Sequence, residues 1–469
     1  MLVRASFIGS MVTAEVSEAS ERALTPLVVV TADSHVGPHP DHVRPYCPSK
    51  YVADFDAFVR SFEDFVGNPE LTAPREGHDH PSAVALRGLK SRMLISAGHY
   101  DVSVRIDEMN RDGVAAEVIF HGSSNGQLFP FIPVPRPVHN RSTRNGGEKF
   151  ALRNPSFFYS PTGSRQELEL LAVGQQMYNR WLADLCSVEP ERHVGLAHVS
   201  MWDPPAAVNE IEQAREMGLR GVNFPSPRPG IPLYDDPVWE PFWSACESLG
   251  MVLTTHGGAG DPSTFIGRHA PLIARLESGY DKCRGALPRL IFGGVFERHP
   301  ELKLVYTELI EQPSSWWPAT VLEYDLLYRR GGWTIDGLLT KPPSEYLRDN
   351  VFIGASLLHR KPEEASVAVH EGYAANMMWG SDYPHIEGTV LYPQSDDDVV
   401  STTRLSLSHD FAGLPADDVQ AMVGETAARV YGLDVDRLAY VARRIEAPTL
   451  THIDTKPTWV PEFWELGPD

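Results

Sequence analysis

The chain has 469 residues, 42% of them hydrophobic, enough for a large core and ordinary for one elaborated α/β barrel. Its 41 basic and 62 acidic residues leave a net charge of −21, an acidic field that repels phosphate backbones and anionic lipid and so argues against nucleic-acid and membrane partners. Cys47, Cys186, Cys246 and Cys283 stand far apart with no CxxC pair, which speaks against a disulfide scaffold or a cysteine zinc site and for reduced thiols in a cytoplasmic protein.

Residues 1–24 carry a short apolar stretch broken by Thr, Ser and Glu, without a small-residue cleavage site. They read as a flexible leader rather than a secretion signal. A single barrel domain is expected over 25–440. No apolar run in the chain is long enough to span a bilayer. The first strand is expected at 26–32 (PLVVVTA), followed by a long insertion at 36–100. The second is expected at 114–121, followed by a second insertion at 122–165 rich in Pro, Asn, Arg and Ser. Residues 166–185 place Leu170, Val173, Met177, Trp181 and Leu185 on one helical face. A strand at 193–199 leads to a helix at 203–217. Asp203 caps that helix, Pro204 opens it and Gly218 stops it. After a strand at 219–225, a helix at 237–249 aligns Trp239, Trp243 and Cys246 and ends at Gly250. The remaining strands are expected at 251–256, 303–308, 350–356 and 376–382. The tail, 441–469, is Pro-rich, and its Trp459, Phe463 and Trp464 suit packing on a neighbour, such as the second subunit of a homodimer.

Eight short apolar runs alternating with helices predict parallel strands buried on both faces, and the count of eight predicts a (β/α)8 TIM barrel. No GxGxxG or GxxxxGK[ST] opens a helix after a strand, so no nucleotide fingerprint supports a doubly wound sheet. Both insertions leave the C-terminal ends of strands, where barrels carry their active sites, and are expected to form lid and pocket wall.

The informative pattern is where His and Asp fall. Asp33 and His35, two apart on the first strand, share a face. His256 ends the fifth strand and Asp382 the eighth. Four ligand-type side chains thus gather at one mouth of the barrel. An oxygen and nitrogen set without thiolate suits zinc, manganese or iron, with zinc the first expectation and manganese the second. His121, His198 and Asn223, at the ends of strands two to four, are candidates to line a small-molecule pocket. Trp316, placed with Trp317 near the loop after strand six, and His385 are further candidates to bind the substrate. Arg228 and Arg268 are candidate anion binders, with surface positions the plainer reading. His385 and Glu387, just past Asp382, are candidates to support the ligands from behind.

Three stretches resemble a known family. Asp33-Ser34-His35-Val36 is similar to the first-strand signature of the amidohydrolase superfamily, in the amidohydrolase-related branch that holds the aminocarboxymuconate-semialdehyde decarboxylase-like proteins. The run from Trp379-Gly380-Ser381-Asp382-Tyr383-Pro384-His385 to Thr389 resembles its eighth-strand signature. Leu290 to Leu304 resembles its lead into strand six. The likeness covers roughly residues 26–440. It implies that Asp33, His35, His256 and Asp382 bind one divalent metal and that Asp382 also transfers the proton.

Two departures stand out. The first motif continues Gly37-Pro38-His39-Pro40 instead of with an acidic residue. Strand six ends at Glu308, where the decarboxylases of the branch place a histidine. A carboxylate there repels a substrate carboxylate unless it is protonated or paired, and it suits a second general acid or base. The leading expectation is therefore metal-dependent hydrolysis of a small organic substrate, with Asp382 as general base toward water activated by the ion. The alternative is non-oxidative decarboxylation of an aromatic or enoic acid at the same site. A non-catalytic barrel scaffold is the reading from another class.

Overall fold

The computed structural model describes residues 22–66, 96–123, 127, 129–132, 163–257, 283–309, 312–331, 337–356, 358–385, 388–389, 402–461 and 464. Eight strands form one sheet in chain order: β1 (Val30–Val36), β2 (Ala116–His121), β3 (His193–Ala197), β4 (Gly221–Asn223), β5 (Val252–His256), β6 (Leu304–Thr307), β7 (Val351–Ala355) and β8 (Met377–Trp379). All seven neighbouring pairs run parallel. Every strand residue is buried, as a sheet covered on both faces requires.

The sheet closes through the segment just past β8. Ser34 bridges Tyr383 in parallel. The Asp382 N–H donates to the Asp33 carbonyl at 3.1 Å, and the His35 N–H donates to the Tyr383 carbonyl at 2.6 Å. The expected (β/α)8 barrel is thus present, and the chain that completes it carries Asp382.

Helices fill the connections. Arg165–Cys186 starts on a capping box between Ser164 and Glu167, and Pro204–Glu216 is capped by the Asp203 side chain. Glu240–Leu249 ends at Gly250, whose φ of 64° is the left-handed conformation that glycine adopts without strain. Val30, Ala32, Val118, Phe120, Leu196 and Val305 fill the lumen. Trp239, Trp243, Tyr306 and Trp316 belong to the layer between strands and helices. No described helix is long and apolar enough to cross a membrane.

β1 holds an irregularity that decides the site. Its pairing with β2 runs Val30 to Ala116 and Thr31 to Glu117, then jumps to Ser34 with Ile119 and His35 with Phe120. Three residues of β1 therefore span two of β2, a β-bulge at Ala32 and Asp33. Strict alternation from Val30 and Ala32 would send His35 to the outer face. The extra residue reverses the phase, and His35 enters the lumen beside Phe120.

Helices Pro40–Val43, Val52–Val66 and Val102–Asp112 belong to the first insertion or follow it. Residues 67–95, most of 122–165 and the leader up to residue 21 lie outside the described residues, and the expected lid falls largely there. In the tail, Trp464 is buried against His359, whereas Trp459 is exposed. Phe463 lies outside the described residues.

Candidate metal centre

Five side chains, those of Asp33, His35, His256, Glu308 and Asp382, converge at the C-terminal mouth of the barrel. His35 Nε2 lies 3.2 Å from Asp33 Oδ1 and 3.2 Å from Asp382 Oδ1. His256 Nε2 lies 3.6 Å from Asp33 Oδ1 and 3.1 Å from Glu308 Oε2. One ligand atom from each of Asp33, His35, His256 and Glu308 falls within 4.8 Å of the other three, and His35, Asp382 and His385 form a second such group. A single ion with bonds of about 2.1 Å holds its donors roughly 3–4 Å apart, which is the spacing found.

Local structure aims each donor. Asp33 Oδ2 accepts from the Ser356 hydroxyl at 2.6 Å, which leaves Oδ1 toward the two imidazoles. His35 Nδ1 faces the His121 carbonyl at 3.3 Å and His256 Nδ1 faces the Gly257 carbonyl at 2.9 Å. A carbonyl acceptor fixes the hydrogen on Nδ1 and presents the Nε2 lone pair to the centre, the usual arrangement of a metal-binding histidine. Glu308 follows β6 directly and has φ of 49°, and Asp382 has φ of 52°. Such positive φ angles cost about 1–3 kcal/mol each for a residue with a side chain, and they concentrate at functional sites. A Cβ on Gly257 would collide with the Glu308 carbonyl, so the ends of β5 and β6 meet because position 257 is glycine.

The electrostatics call for a cation. Burial alone would raise the Asp33 carboxyl, but His35 and His256 outweigh it and hold the group far below the usual carboxylate range. Burial, and then the charge of Asp382, push Glu308 well above its ordinary value. Burial also tends to lower His256, yet Glu308 and Asp33 lift it to about 9. Asp382 is raised by burial but held below its ordinary value by His385 and by hydrogen bonds with His35 and His385. Three carboxylates are thus packed together with little solvent to screen them. Asp33 Oδ1 and Asp382 Oδ2 are buried without a well-formed hydrogen bond among the described residues. A divalent ion would satisfy both, and the donor set, oxygen and nitrogen without sulfur, suits one.

The other predicted residues divide into two sets. His385 is close to the centre. Its Nδ1 lies 2.7 Å from Asp382 Oδ1, its Nε2 lies 2.9 Å from the Gly122 carbonyl, and its ring packs 4.2 Å from that of His35. His121, His198 and Asn223 form a separate buried group. Asn223 Nδ2 donates to His198 Nε2 at 3.1 Å. Tyr178, Phe129 and His121 surround His198 with ring centroids 5.3, 4.6 and 6.4 Å away. Burial lowers both imidazoles, His198 to about 3, with the neighbouring His198 adding to the effect on His121. This group is therefore neutral at physiological pH. It meets the centre through the His121 carbonyl.

Trp316 is not brought to the cluster. It packs in the outer layer, 6.2 Å from Tyr306 on β6, with the Arg284 guanidinium 4.9 Å above its ring. Trp317 sits beside it. Arg228 is buried rather than at the surface, its Nε donating to the Ser226 carbonyl at 3.2 Å. Arg268 and Glu387 lie outside the described residues.

Two contributors were not singled out from sequence. Ser356 occupies the first position past β7, the kind of strand-end position that marks the other members. A buried network joins Arg105, Glu117 and His193. The Arg105 guanidinium donates to Glu117 at 2.7 Å, and His193 Nδ1 lies 3.0 Å from the same carboxylate. Arg105 also stacks 3.5 Å over Tyr383, the residue after Asp382. A buried arginine in a helix flanking a barrel leaves no periodic signal.

The chain is similar to known proteins. The chain is 26% identical over 219 residues to 2-amino-3-carboxymuconate-6-semialdehyde decarboxylase of Dictyostelium discoideum, a match covering 45% of this chain. The chain spans about half the length of that curated relative, 48%. Its fold is similar to 5-carboxyvanillate decarboxylase from Sphingomonas paucimobilis, with a TM-score of 0.52 and 20% identity over 87% of this chain and 100% of that one. It is also similar to the 5-carboxyvanillate decarboxylase of Novosphingobium aromaticivorans complexed with manganese and 4-hydroxy-3-methoxy-5-nitrobenzoic acid, with a TM-score of 0.53 and 16% identity over 87% of this chain and 96% of that one. The family model described as amidohydrolase matches residues 158–433, more than half of the chain and six of its eight strands, β3 to β8. With that match added to the barrel and its mouth, the chain belongs to the amidohydrolase family.

Proposed function

We propose that the protein is a metal-dependent, non-oxidative decarboxylase of a small organic acid, acting at the mouth of the barrel. The observation that carries this reading is the Asp382–His385 pair. His385 Nε2 faces the Gly122 carbonyl and must carry a hydrogen. Its Nδ1 faces the Asp382 carboxylate at 2.7 Å. Two acceptors on one imidazole require either a second hydrogen on the ring or a proton on the carboxyl. The pair therefore stores one proton beside the cluster of donors, which is what a reaction replacing carboxylate by hydrogen consumes.

A divalent ion bound by residues from the Asp33, His35, His256, Glu308 and Asp382 set supplies Lewis acidity and charge to orient an anionic substrate. Manganese, as in the structural neighbour just described, and zinc both fit an oxygen and nitrogen set. The chain's residues do the rest. Asp382, ionised at rest, relays the proton of His385 to the substrate carbon that bears the carboxylate. The bond from that carbon to the carboxyl carbon breaks, its electron pair passes to the new C–H bond by way of the substrate's conjugated system, and carbon dioxide leaves. The pair then regains its single proton from solvent through His385.

The carboxylate at Glu308 spoke for hydrolysis in the sequence. Its contact with His256 at 3.1 Å now weighs the other way, because a paired carboxylate repels an acid substrate far less than a lone one. The neutral His121, His198 and Asn223 group suits uncharged polar substituents such as hydroxyls. The curated relative is a decarboxylase by name, which further favours carbon dioxide release over hydrolysis.

The test is an assay of the purified, metal-loaded protein against hydroxybenzoate-type and enoic acids, following carbon dioxide. Release is expected. Asp382→Asn should lower the rate by about 10²–10⁴-fold, the usual contribution of a positioned proton donor. Turnover of esters or lactones with no acid decarboxylated would overturn the proposal in favour of hydrolysis.

A further inference from the structure

We propose that Tyr383 is a positioning residue: clamped from the helix layer by Glu108, Arg105 and the turn at Gly98, it fixes where Asp382 and His385 stand toward each other. The inference rests on the reading that this pair relays the proton, and its test includes a readout that needs no turnover.

The turn that bears the proton begins three residues past β8, so the strand ladder does not hold it. Two backbone bonds tie it to β1, from the Asp382 N–H to Asp33 and from the His35 N–H to the Tyr383 carbonyl. Asp382 itself stands at φ of 52°, and a left-handed residue with a side chain persists only where its surroundings over-determine it. The buried Tyr383 side chain supplies that anchor at the very next position. Its hydroxyl donates to Glu108 Oε2 at 2.5 Å, and the Arg105 guanidinium lies 3.5 Å over its ring.

The anchor is rigid. Helix Val102–Asp112 presents Arg105 and Glu108 three residues apart, hence on one face. Arg105 is fixed in turn, because its Nε and Nη2 both donate to the buried Glu117 of β2, at 2.9 and 2.7 Å. The turn Ala97–His99 closes over the hydroxyl. A Cβ on Gly98 would collide with Tyr383 Oη and with the Glu108 carboxylate. The His99 carbonyl accepts from the Gly37 N–H at 2.9 Å, two residues past His35. One turn of the first insertion therefore touches both sides of the barrel seam, and Tyr383 passes that restraint to its neighbours Asp382 and His385. A reacting group misplaced by about 1 Å loses roughly 100-fold in rate.

The experiment uses the full-length protein with Zn²⁺ supplied. The hydrogen shared by His385 Nδ1 and Asp382 gives a low-field proton resonance, assigned by its loss in His385→Gln, whose position reports the geometry of the pair. Tyr383→Phe keeps the ring over Arg105 but loses the bond to Glu108, and Glu108→Ala removes the same bond from the other end. Both should move that resonance and lower kcat about 10–100-fold with KM unchanged, the pattern of a lost transition-state interaction. Glu108→Gln still accepts from the hydroxyl and should restore both readouts. The double variant of Tyr383→Phe with Glu108→Ala should lose no more than either alone. Circular dichroism checks folding, and if one single variant does not fold the other carries the test. Folded variants with resonance and kcat unmoved and only the melting temperature lowered would mark a purely structural contact and overturn the inference, as would additive losses in the double variant. A wild type without the resonance lacks the pair, which sinks the inference together with the proposed relay. A resonance that moves as expected in a protein releasing no carbon dioxide sinks only the proposed reaction.

Discussion

Replacing Ser356 by alanine removes one hydroxyl and nothing else, yet it should loosen the metal. The Ser356 hydroxyl donates to Asp33 Oδ2 at 2.6 Å, with both residues buried. That bond holds the carboxylate so that Oδ1 meets His35 and His256. A hydrogen bond to a buried charged group contributes about 1.5–3 kcal/mol. At roughly 1.4 kcal/mol per tenfold, its loss should weaken binding of Mn²⁺ or Zn²⁺ by about 10–100-fold, the range found for groups that orient ligands. Compensation by water is hindered, because the site is tight: a Cβ on Gly380 would lie 2.9 Å from that hydroxyl. The assay is chelator competition at fixed pH, with melting of the metal-free protein as the control. An affinity within about threefold of wild type would refute the argument, since Asp33 would then be oriented by something other than Ser356.

Gly257→Ala should disrupt the centre from the backbone side, because its Cβ would collide with the Glu308 carbonyl. A loss of at least about 1–3 kcal/mol in stability, read by urea denaturation, is expected together with weaker metal binding. The Arg105–Glu117–His193 network should give the acid limb of the stability curve. Burial alone would raise Glu117, but Arg105 and then His193 outweigh it and hold it far below its ordinary 4.5. Its contribution is therefore fully present above about pH 4.5 and is lost as pH falls from there toward the depressed folded value. Glu117→Gln should cost about 3–5 kcal/mol at pH 7 by leaving Arg105 buried without its partner, and should flatten the dependence of the denaturation midpoint below pH 4.5. A variant with an unchanged acid limb would show that other carboxylates set it.

The barrel was legible because buried parallel strands announce themselves as short apolar runs, and seven of the eight lie where the sequence places them. The first is displaced from 26–32 to Val30–Val36. Residues 26–29 are apolar for another reason. Leu27 bonds to the Pro448 carbonyl and Pro26 bridges Thr449, so this stretch is covered by the tail. Asp33 and His35 lie within β1, as their shared face requires. Asp382 falls three residues past β8, in the segment that closes the barrel. Residue type and strand-end position were enough to find the imidazoles and carboxylates. They could not say which carboxylate is nearer to which imidazole, because that depends on the left-handed turns at Glu308 and Asp382 and on the tight approach at Gly257. Trp316 was drawn toward the pocket by its place after strand six, but a helix there offers two faces, and the apolar one turned to Tyr306.

The single surplus residue in β1 divides that strand into two independent halves. Upstream of it, side chains answer to packing in the lumen. Downstream, they answer to chemistry at the mouth. Losing one residue between Thr31 and Ser34 would turn His35 away from the centre while leaving the composition of the strand nearly intact. Conversely, ligand identity at positions 33 and 35 can change without repacking Val30. A scaffold partitioned in this way can alter its reaction and keep its foundation.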